Sequence, residues 1–341
     1  MPAAPGGTAR VTIYDVAREA GVSASTVSRA FSRPGRVSSR TARSIREVAD
    51  RLGYRSETVE RFERARRTDT IALAISDVAN PVYFPIIRGA EHAAAAAGFT
   101  MLLADAQESD EIERQMLERT LPLVDGLVIT SSRLSDTDLR TIGKTLPVVV
   151  LNRHVSGLPS VVPDTARGVR RAVEHLATLG HTRIGYAAGP EASWADGTRW
   201  RAVREACHEL EIADVRLGPF RPFVEGGEAA AQAVVERGLG AVLAYNDLVA
   251  IGIIRGLARL GVEVPRDVSV VGFDDIFAAD LITPGLTTVG APLESLGQAA
   301  VRNVIALHRG ATWERPDPVV VPTRLVVRES TATPAAPRAT S

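Results

Sequence analysis

Residues 11–55 read VTIYDVAREAGVSASTVSRAFSRPGRVSSRTARSIREVADRLGYR. Three short helices follow from this stretch. Thr12 caps the first, with Asp15 three residues on in a capping-box arrangement. Ile13, Val16, Ala17 and Ala20 then share one apolar face, and Gly21 ends the helix. Ser23 caps a second helix, Ala24 to Phe31, after a turn of only Gly21-Val22. Ser38 or Ser39 starts a third, with Ile45, Val48, Ala49 and Leu52 along one face and Gly53 closing it. Two short helices joined by a tight Gly-containing turn make a helix-turn-helix unit, whose second helix fits a DNA major groove.

Charge points the same way. The chain of 341 residues is formally neutral, but unevenly so. Residues 1–70 hold 14 Arg, no Lys and 8 acidic residues, a net +6, while the other 271 hold 26 basic and 32 acidic residues, a net −6. A basic head on an acidic body suits a head that meets a polyanion.

Beyond Asp69 the pattern becomes alternating. Apolar strand runs appear at Thr70–Ser76, Phe99–Asp105, Gly126–Thr130, Val148–Asn152, Ile184–Gly189, Ala241–Asp247 and Val268–Asp275. Helical segments lie between them at Tyr83–Ala97, Glu111–Thr120, Thr165–Leu179, Arg199–Leu210, Gly227–Arg237 and Leu248–Leu260. Near-continuous apolar strands separated by helices predict parallel sheets covered on both faces. Their number predicts two doubly wound lobes, with ligands bound beyond the carboxyl ends of the strands. Those ends are polar: Asp77 and Asn80, Asn152, Asn246-Asp247 and Asp274-Asp275. Asn and Asp there either line a cleft for a polyhydroxylated molecule or cap the helices that follow.

Hydrophobic content of 45% is enough for an ordinary core. Cys207 stands alone, so no intramolecular disulfide forms. The first ten residues lack the apolar segment of a signal peptide and are expected to be disordered. No apolar run is long enough to span a membrane, which predicts a cytoplasmic protein with no membrane partner. The Pro/Ala/Thr-rich end, 331–341, also reads as disordered. It lacks the apolar heptads of a tetramerising tail, so a homodimer is expected, with the Ala-rich stretch Glu91–Ala97 as a close-packing element.

The order and spacing of several motifs resemble the LacI/GalR family of bacterial transcriptional regulators. They are VTIYDVAREAGVSASTVSR and RVSSRTARSIREVADRLGY in the head, then DVANPVYFPIIRGAEHAAAAAG, AVEHLATLGHTRIGYAAGP, AVLAYNDLVAIGIIRGLARLGVEVPRDVSVVGFDD and LTTVGAPLESLGQAA in the body. The resemblance covers about residues 11–330. It implies a small all-α helix-turn-helix domain (11–56), a hinge (57–69) and an α/β two-lobed core like that of periplasmic binding proteins (70–330). One lobe comprises about 70–163 and 290–318, the other about 164–289 and 319–330. The implied protein is a nucleoid-associated homodimeric regulator, usually a repressor. It binds double-stranded, near-palindromic operator DNA, takes a sugar-like effector between the lobes and needs no cofactor.

By that resemblance Ala24, Ser25 and Arg29 face the bases. Ala24 suits a thymine methyl, Ser25 most base edges, and Arg29 a guanine. Thr12, Tyr14, Ser23, Thr26 and Ser28 suit the backbone phosphates, and Arg36 and Ser38 are further DNA-binding residues. The hinge departs from the family form Tyr-x-Pro-x-x-x-Ala-x-x-Leu, whose leucines wedge a minor-groove step. Tyr54 is present, but Ser56 replaces Pro, Glu60 replaces Ala and Glu63 replaces Leu. Three i, i+4 pairs, Glu57–Arg61, Glu60–Arg64 and Glu63–Arg67, favour instead a charged helix. Each contributes roughly 0.2–0.5 kcal/mol. Arg61 then lies toward phosphates, and Phe62 is the one candidate wedge.

The effector residues implied are Arg199, Asn246, Asp274 and Asn152, with Asp77, Asn80 and Tyr83 from the first lobe and Phe84 as an apolar wall. Trp194 or Phe220 stacks on a ring face or packs in the core. Enzyme motifs are missing: there is no phosphate-binding glycine loop, HExxH or CxxC, and His92, His154, His175, His181, His208 and His308 are scattered without metal spacing.

Overall fold

The computed structural model describes residues 11–32, 37–52, 54, 68–313 and 317–334. The chain divides into two compact units, Met1–Thr68 and Asp69–Ser341.

In the first unit, α1 (Ile13–Glu19), α2 (Ala24–Ser32) and α3 (Ser39–Leu52) enclose one small core. The Thr12 backbone N–H and hydroxyl both donate to the Asp15 carboxylate, at 2.9 and 2.7 Å, so the capping box forms. Gly21 takes φ +64°, the left-handed turn that a side chain resists. The Ser23 hydroxyl accepts from the Thr26 N–H at 3.2 Å, and Ser38, rather than Ser39, caps α3 through the Thr41 N–H at 3.2 Å. Val16, Val27 and Ile45 are fully buried and meet Ala17, Ala30, Val48 and Ala49. Leu52 packs against this cluster, as do the rings of Phe31 and Tyr54, 6.3 Å apart. The expectations for Gly53, Arg36, the hinge residues 55–67 with Arg61 and Phe62, and both chain ends (1–10 and 335–341) lie outside the described residues.

The second unit holds two six-stranded sheets. The first contains β1 (Thr70–Ile75), β2 (Thr100–Asp105), β3 (Gly126–Thr130), β4 (Val148–Leu151), β5 (Ser160–Pro163) and β11 (Val319–Val321) in the order β11-β5-β4-β3-β1-β2, all parallel. The second contains β6 (Arg183–Ala187), β7 (Ala213–Leu217), β8 (Ala241–Ala244), β9 (Ser269–Asp274), β10 (Thr287–Gly290) and β12 (Arg324–Val326) in the order β12-β10-β9-β8-β6-β7. Here β12 runs antiparallel to β10, so the sheet is parallel except at one edge. Strands β3, β4, β8, β9 and β10 are buried along their whole length, as expected where helices cover both faces.

The helices are α4 (Tyr83–Ala96), α5 (Asp110–Thr120), α6 (Asp136–Gly143), α7 (Thr165–Thr178), α8 (Trp194–Glu209), α9 (Val224–Glu236), α10 (Asp247–Arg259) and α11 (Leu293–His308). The chain crosses between lobes three times: after β5, after β10, and between β11 and β12. The last crossing falls after Val321 rather than at 318, because Val319–Val321 pairs with β5 of the first sheet. Residues 331–334 also differ from the disordered tail expected. The Ala332 N–H donates to the Ser269 hydroxyl at 3.0 Å, and Thr331 meets His175 Nε2 at 2.9 Å.

Glycines set the closest helix contacts. A methyl at Gly89 of α4 would overlap the Glu294 carbonyl oxygen of α11, and one at Gly297 that of Ile86. The small face of α4 (Gly89, Ala90, Ala93 and Ala94) is therefore buried within the chain, while Glu91, His92, Ala95 and Ala96 face outward. Gly227 of α9 and Gly252 of α10 meet in the same way, backbone against backbone. Among the described residues no helix is long and apolar enough to cross a membrane.

Gly252→Ala would set a methyl on the Val224 carbonyl, which no side-chain rotation relieves. Overpacking of this kind costs about 1–3 kcal/mol. Gly197 of α8 has open space around it, and Gly197→Ala should gain about 0.5–1 kcal/mol of helix stability. Urea-unfolding midpoints of the two variants should move in opposite directions from wild type; equal midpoints would contradict the packing account.

Candidate functional site

Two surfaces gather the residues singled out in the sequence, one on each unit. On the first unit, α2 exposes Ser25, Ser28 and Arg29, while Ala24 and Thr26 are half-buried. The Ser23 hydroxyl lies 2.9 Å from that of Ser25 and 2.8 Å from that of Thr26. Arg29 folds back along the helix, its Nε donating to the Ser25 carbonyl at 3.1 Å and its Nη2 to the Ser25 hydroxyl at 3.2 Å. Tyr14 stands free in solvent beside Thr12. Ser38 is engaged with Thr41, its hydroxyl 2.7 Å from the Thr41 hydroxyl. Tyr54 is different: it packs on the head's own core, and its N–H donates to the Ala49 carbonyl at 2.9 Å.

On the second unit, the strand register brings the carboxyl ends level. Ile75 lies beside Asp105, Thr130 beside Leu151, and Gly290 beside Asp274. The cleft between the two sets of ends holds a cavity of about 50 Å3 with an open mouth. Several cleft residues hold the left-handed conformation: Glu108 (φ 55°), Ser131 (48°), Asn152 (58°) and Asp274 (119°). Non-glycine residues adopt it at a cost, and such strain concentrates at functional sites.

Arg199 and Asp274 form the centre. Arg199 Nη2 donates to Asp274 Oδ1 at 3.0 Å, and the two side chains are each 11% exposed. Arg199 Nη1 also donates to the Tyr245 carbonyl, and its guanidinium lies 3.7 Å from the centre of the Phe273 ring. Burial opposes the Arg199 charge, but Asp274, with Tyr245 and Tyr186, more than offsets it and raises the guanidinium above its ordinary value. Burial pushes the Asp274 carboxyl up to about 6 against the pull of Arg199. Beneath them Asp247 is wholly buried; it accepts from the Thr288 hydroxyl at 2.5 Å and the Ile276 N–H at 2.9 Å. Burial, then the nearby Asp274, raise its carboxyl well above the usual range. Gly272 leaves room for it, since a methyl there would overlap Asp247 Oδ1.

Of the ten effector residues expected, Asn80, Tyr83, Asn152, Trp194, Arg199, Asn246 and Asp274 line this cleft. Asp77 and Phe220 line its outer mouth. Phe84 lines neither: it is 47% exposed and stacks on Phe277 across 6.3 Å. It sits at the first turn of α4, on the helix's outward side, so it is no wall of the cleft. Several side chains also carry structural bonds. Asn246 caps α10, accepting from the Val249 N–H at 2.9 Å, and its amide donates to the Pro222 carbonyl at 3.0 Å. Asn80 and Asp77 accept from the Val82 and Ala79 N–H groups, at 3.1 and 2.7 Å. The Tyr83 hydroxyl meets that of Ser76 at 2.5 Å. For Asn246 the capping and cleft-lining readings both hold, whereas Asp77 and Asn80 close turns ahead of α4, whose N-cap, Val82, has no side-chain bond.

Sequence reasoning missed Glu108, Arg133, Ser193 and Tyr245. Glu108 and Arg133 form an ion pair, 25 residues apart in sequence and joined only by the fold. The Ser193 hydroxyl caps α8 and lies 3.0 Å from the Tyr245 hydroxyl, which burial pushes up to about 12. Tyr245, directly after the apolar run of β8, is the one whose position gave a signal. Among the described residues no group of three His, Cys, Asp or Glu is placed to hold a metal ion.

Comparisons with known proteins agree with this geometry. Residues 12–57 match the description "Bacterial regulatory proteins, lacI family", and residues 173–331 match a periplasmic binding protein-like domain. The HTH-type transcriptional regulator DegA of Bacillus subtilis is 30% identical, over 95% of this chain and 98% of that protein. A transcriptional regulator CelR–cellobiose complex superposes with a TM-score of 0.70 at 30% identity, covering 94% of this chain and 100% of that one. A lac repressor dimer bound to operator and the anti-inducer ONPF also gives a TM-score of 0.70, at 26% identity, covering 95% of this chain and 100% of that one.

The raised Asp274 carboxyl has a consequence for stability. A folded carboxyl near 6, against about 4 when unfolded, makes the native state bind more protons between those values. Stability should therefore fall as pH rises from about 4 to 6, on the order of 3 kcal/mol from this group. Urea midpoints should drop more steeply over that window for wild type than for Asp274→Asn; parallel profiles would contradict the assignment.

Proposed function

The chain belongs to the LacI family of bacterial regulatory proteins, and from that premise we propose that it is a repressor that binds a near-palindromic operator as a homodimer under the control of a sugar-like effector. It is a DNA-binding transcriptional regulator and not an enzyme. The observation that carries the finer reading is the polar cleft around Arg199 and Asp274, in a chain that also exposes Ser25 and Arg29 on a recognition helix. Paired charges, hydroxyls and amides on its walls suit a polyhydroxylated ligand. The CelR–cellobiose complex, a structural neighbour, supports the same class.

Two features support the dimer. Each α2 offers one arginine and small side chains to the bases, so one head reads little and two half-sites are needed. Phe84, Phe277 and Leu281 are 47%, 62% and 74% exposed, and the first two stack on each other. Large apolar groups left together on a surface mark a protein contact. The patch borders the outward face of α4, and the lac repressor neighbour is a dimer on its operator. In the proposed regulator the effector contacts both lobes, favours one lobe arrangement and changes operator affinity. Such coupling typically amounts to about 1–3 kcal/mol. The place of action is the cytoplasm, on the nucleoid.

Selection of genomic fragments by the purified full chain, followed by fluorescence anisotropy on the enriched site, tests this function. Binding to no fragment would reject it. On the enriched site Arg29→Ala should weaken specific binding by about 5- to 150-fold, the worth of one bidentate base contact, while the steep salt dependence from phosphate contacts persists.

The double variant Phe277→Glu, Leu281→Glu should sediment as a monomer where wild type sediments as a dimer. Its operator affinity should fall with it. An unchanged sedimentation coefficient would move the interface elsewhere.

A further inference from the structure

We propose that the groove between α7 and β12 docks an extended acidic segment of a partner protein, which adds a strand to the edge of the second sheet. One stripe of α7, from Arg167 through Arg171 to Thr178, forms one wall, and Arg324, Leu325 and Val327 form the other. None of these residues lines the effector cleft or its mouth, so this surface lies beyond the function proposed above.

Helix and strand run side by side here. The Thr323 hydroxyl donates to the Asp164 carbonyl at 2.8 Å at the start of α7, and the Thr331 hydroxyl meets His175 Nε2 at 2.9 Å near its end. Arg167 and Thr178 stand about 16 Å apart along the helix axis. From Thr323 to Val327 an extended chain covers about 14 Å, the length of about five residues in strand conformation. Strand β12 is the last of its sheet. It pairs with β10 on one side, and among the described residues no strand pairs with it on the other. The amide and carbonyl groups of an open edge are a template for a further strand.

Charge selects the occupant. The chain beyond residue 70 carries a net −6, yet this groove is basic. Arg167 and Arg171 are exposed, and among the described residues neither is in an ion pair. Across from them Arg324 is 79% exposed and approaches Asp275 only to 3.8 Å, while Arg328 holds that same carboxylate at 2.9 Å. The one carboxylate on the lining, Glu174, is held by Arg170 at 2.9 Å. Asp164 caps α7, accepting from the Arg167 N–H at 3.1 Å. Three guanidiniums therefore share the end of the groove where Thr323 meets α7, with their forks open to carboxylates. A second copy of β12 is a poor occupant, because its own Arg324 would enter a groove already lined by three arginines. Farther along the wall turns apolar: Leu325 is half-buried and Val327 is exposed. The segment that fits carries acidic residues beside the arginines and apolar ones beside Leu325 and Val327.

Selection of a random peptide phage library on the immobilised full chain tests this, with the double variant Arg167→Ala, Arg171→Ala as the comparison target. Both side chains are exposed on α7, so the variant's urea-unfolding midpoint should not fall below that of wild type. Wild type should enrich peptides in which Glu or Asp adjoins alternating apolar residues. In fluorescence anisotropy the leading peptide should bind the double variant about tenfold more weakly. Methylating its backbone nitrogens one at a time should weaken binding at least about fivefold at alternate positions, because alternate N–H groups face the edge. No enrichment on wild type, enrichment without acidic residues, or equal binding to both proteins overturns the proposal. A peptide that tolerates every N-methylation and is displaced by millimolar inorganic phosphate overturns it as well, since the groove would then hold an anion and not a strand.

Discussion

The cleft depends on one buried ion pair. Arg199 and Asp274 meet at 3.0 Å where solvent barely reaches, with the guanidinium lying on Phe273. Taking such charges out of water costs several kcal/mol per ion, so the pair persists only with good geometry and further hydrogen bonds. One is present in the Tyr245 carbonyl, which accepts from Arg199. Burial raises both carboxyls, and the nearby Asp274 adds to the rise at Asp247. Gly272 is part of the same arrangement, because any side chain there would displace Asp247.

From this pair the rest of the cleft follows by topology. Parallel strands deliver all their carboxyl ends to one side, and the three crossings place two such sets of ends face to face. The second lobe supplies the charged centre. The first supplies Asn80, Asn152 and the Glu108–Arg133 pair. A molecule bound there touches both lobes at once. Its affinity then depends on how the lobes stand to one another, which is the condition for a ligand to shift a conformational equilibrium.

The pattern of residues made the architecture readable where burial is complete. Strands such as GLVIT (β3) and AVLA (β8) announce themselves because both faces are covered. Most elements left unread lack that signature, although β10, TTVG, is buried throughout and α11 buries a full apolar face. Strand β7, ADVRL, carries Asp214 and Arg216 on an open edge, and β5, β11 and β12 have only three or four residues each. Helix α6 buries Leu139 alone and is held by the Ser135–Asp138 capping box rather than by an apolar stripe. Among the site residues, Arg199, Asn246 and Asp274 stand where motif and strand end coincide. Glu108 and Arg133 were illegible because each sits in an ordinary polar loop, and only the sheet order joins them. Phe84 misled for the opposite reason: it adjoins a cleft residue, Tyr83, but one step along a helix turns the side chain by about 100°.

The head and the cleft fit together energetically in the proposed regulator. Arg29 is the strongest base-reading group on α2, and in free protein it is already bonded to Ser25. Both residues are exposed, so exchanging those bonds for a guanine edge gains only the net difference between two solvated states. Most of the affinity of each head must then come from phosphate contacts, which carry no sequence information, and discrimination must come from placing two heads at one spacing. A protein built this way is sensitive to the separation of its heads. An effector coupling of about 1–3 kcal/mol is small beside the total binding energy, yet it is comparable to the contribution of one base contact. A ligand held by the Arg199–Asp274 centre can therefore decide operator occupancy without touching DNA.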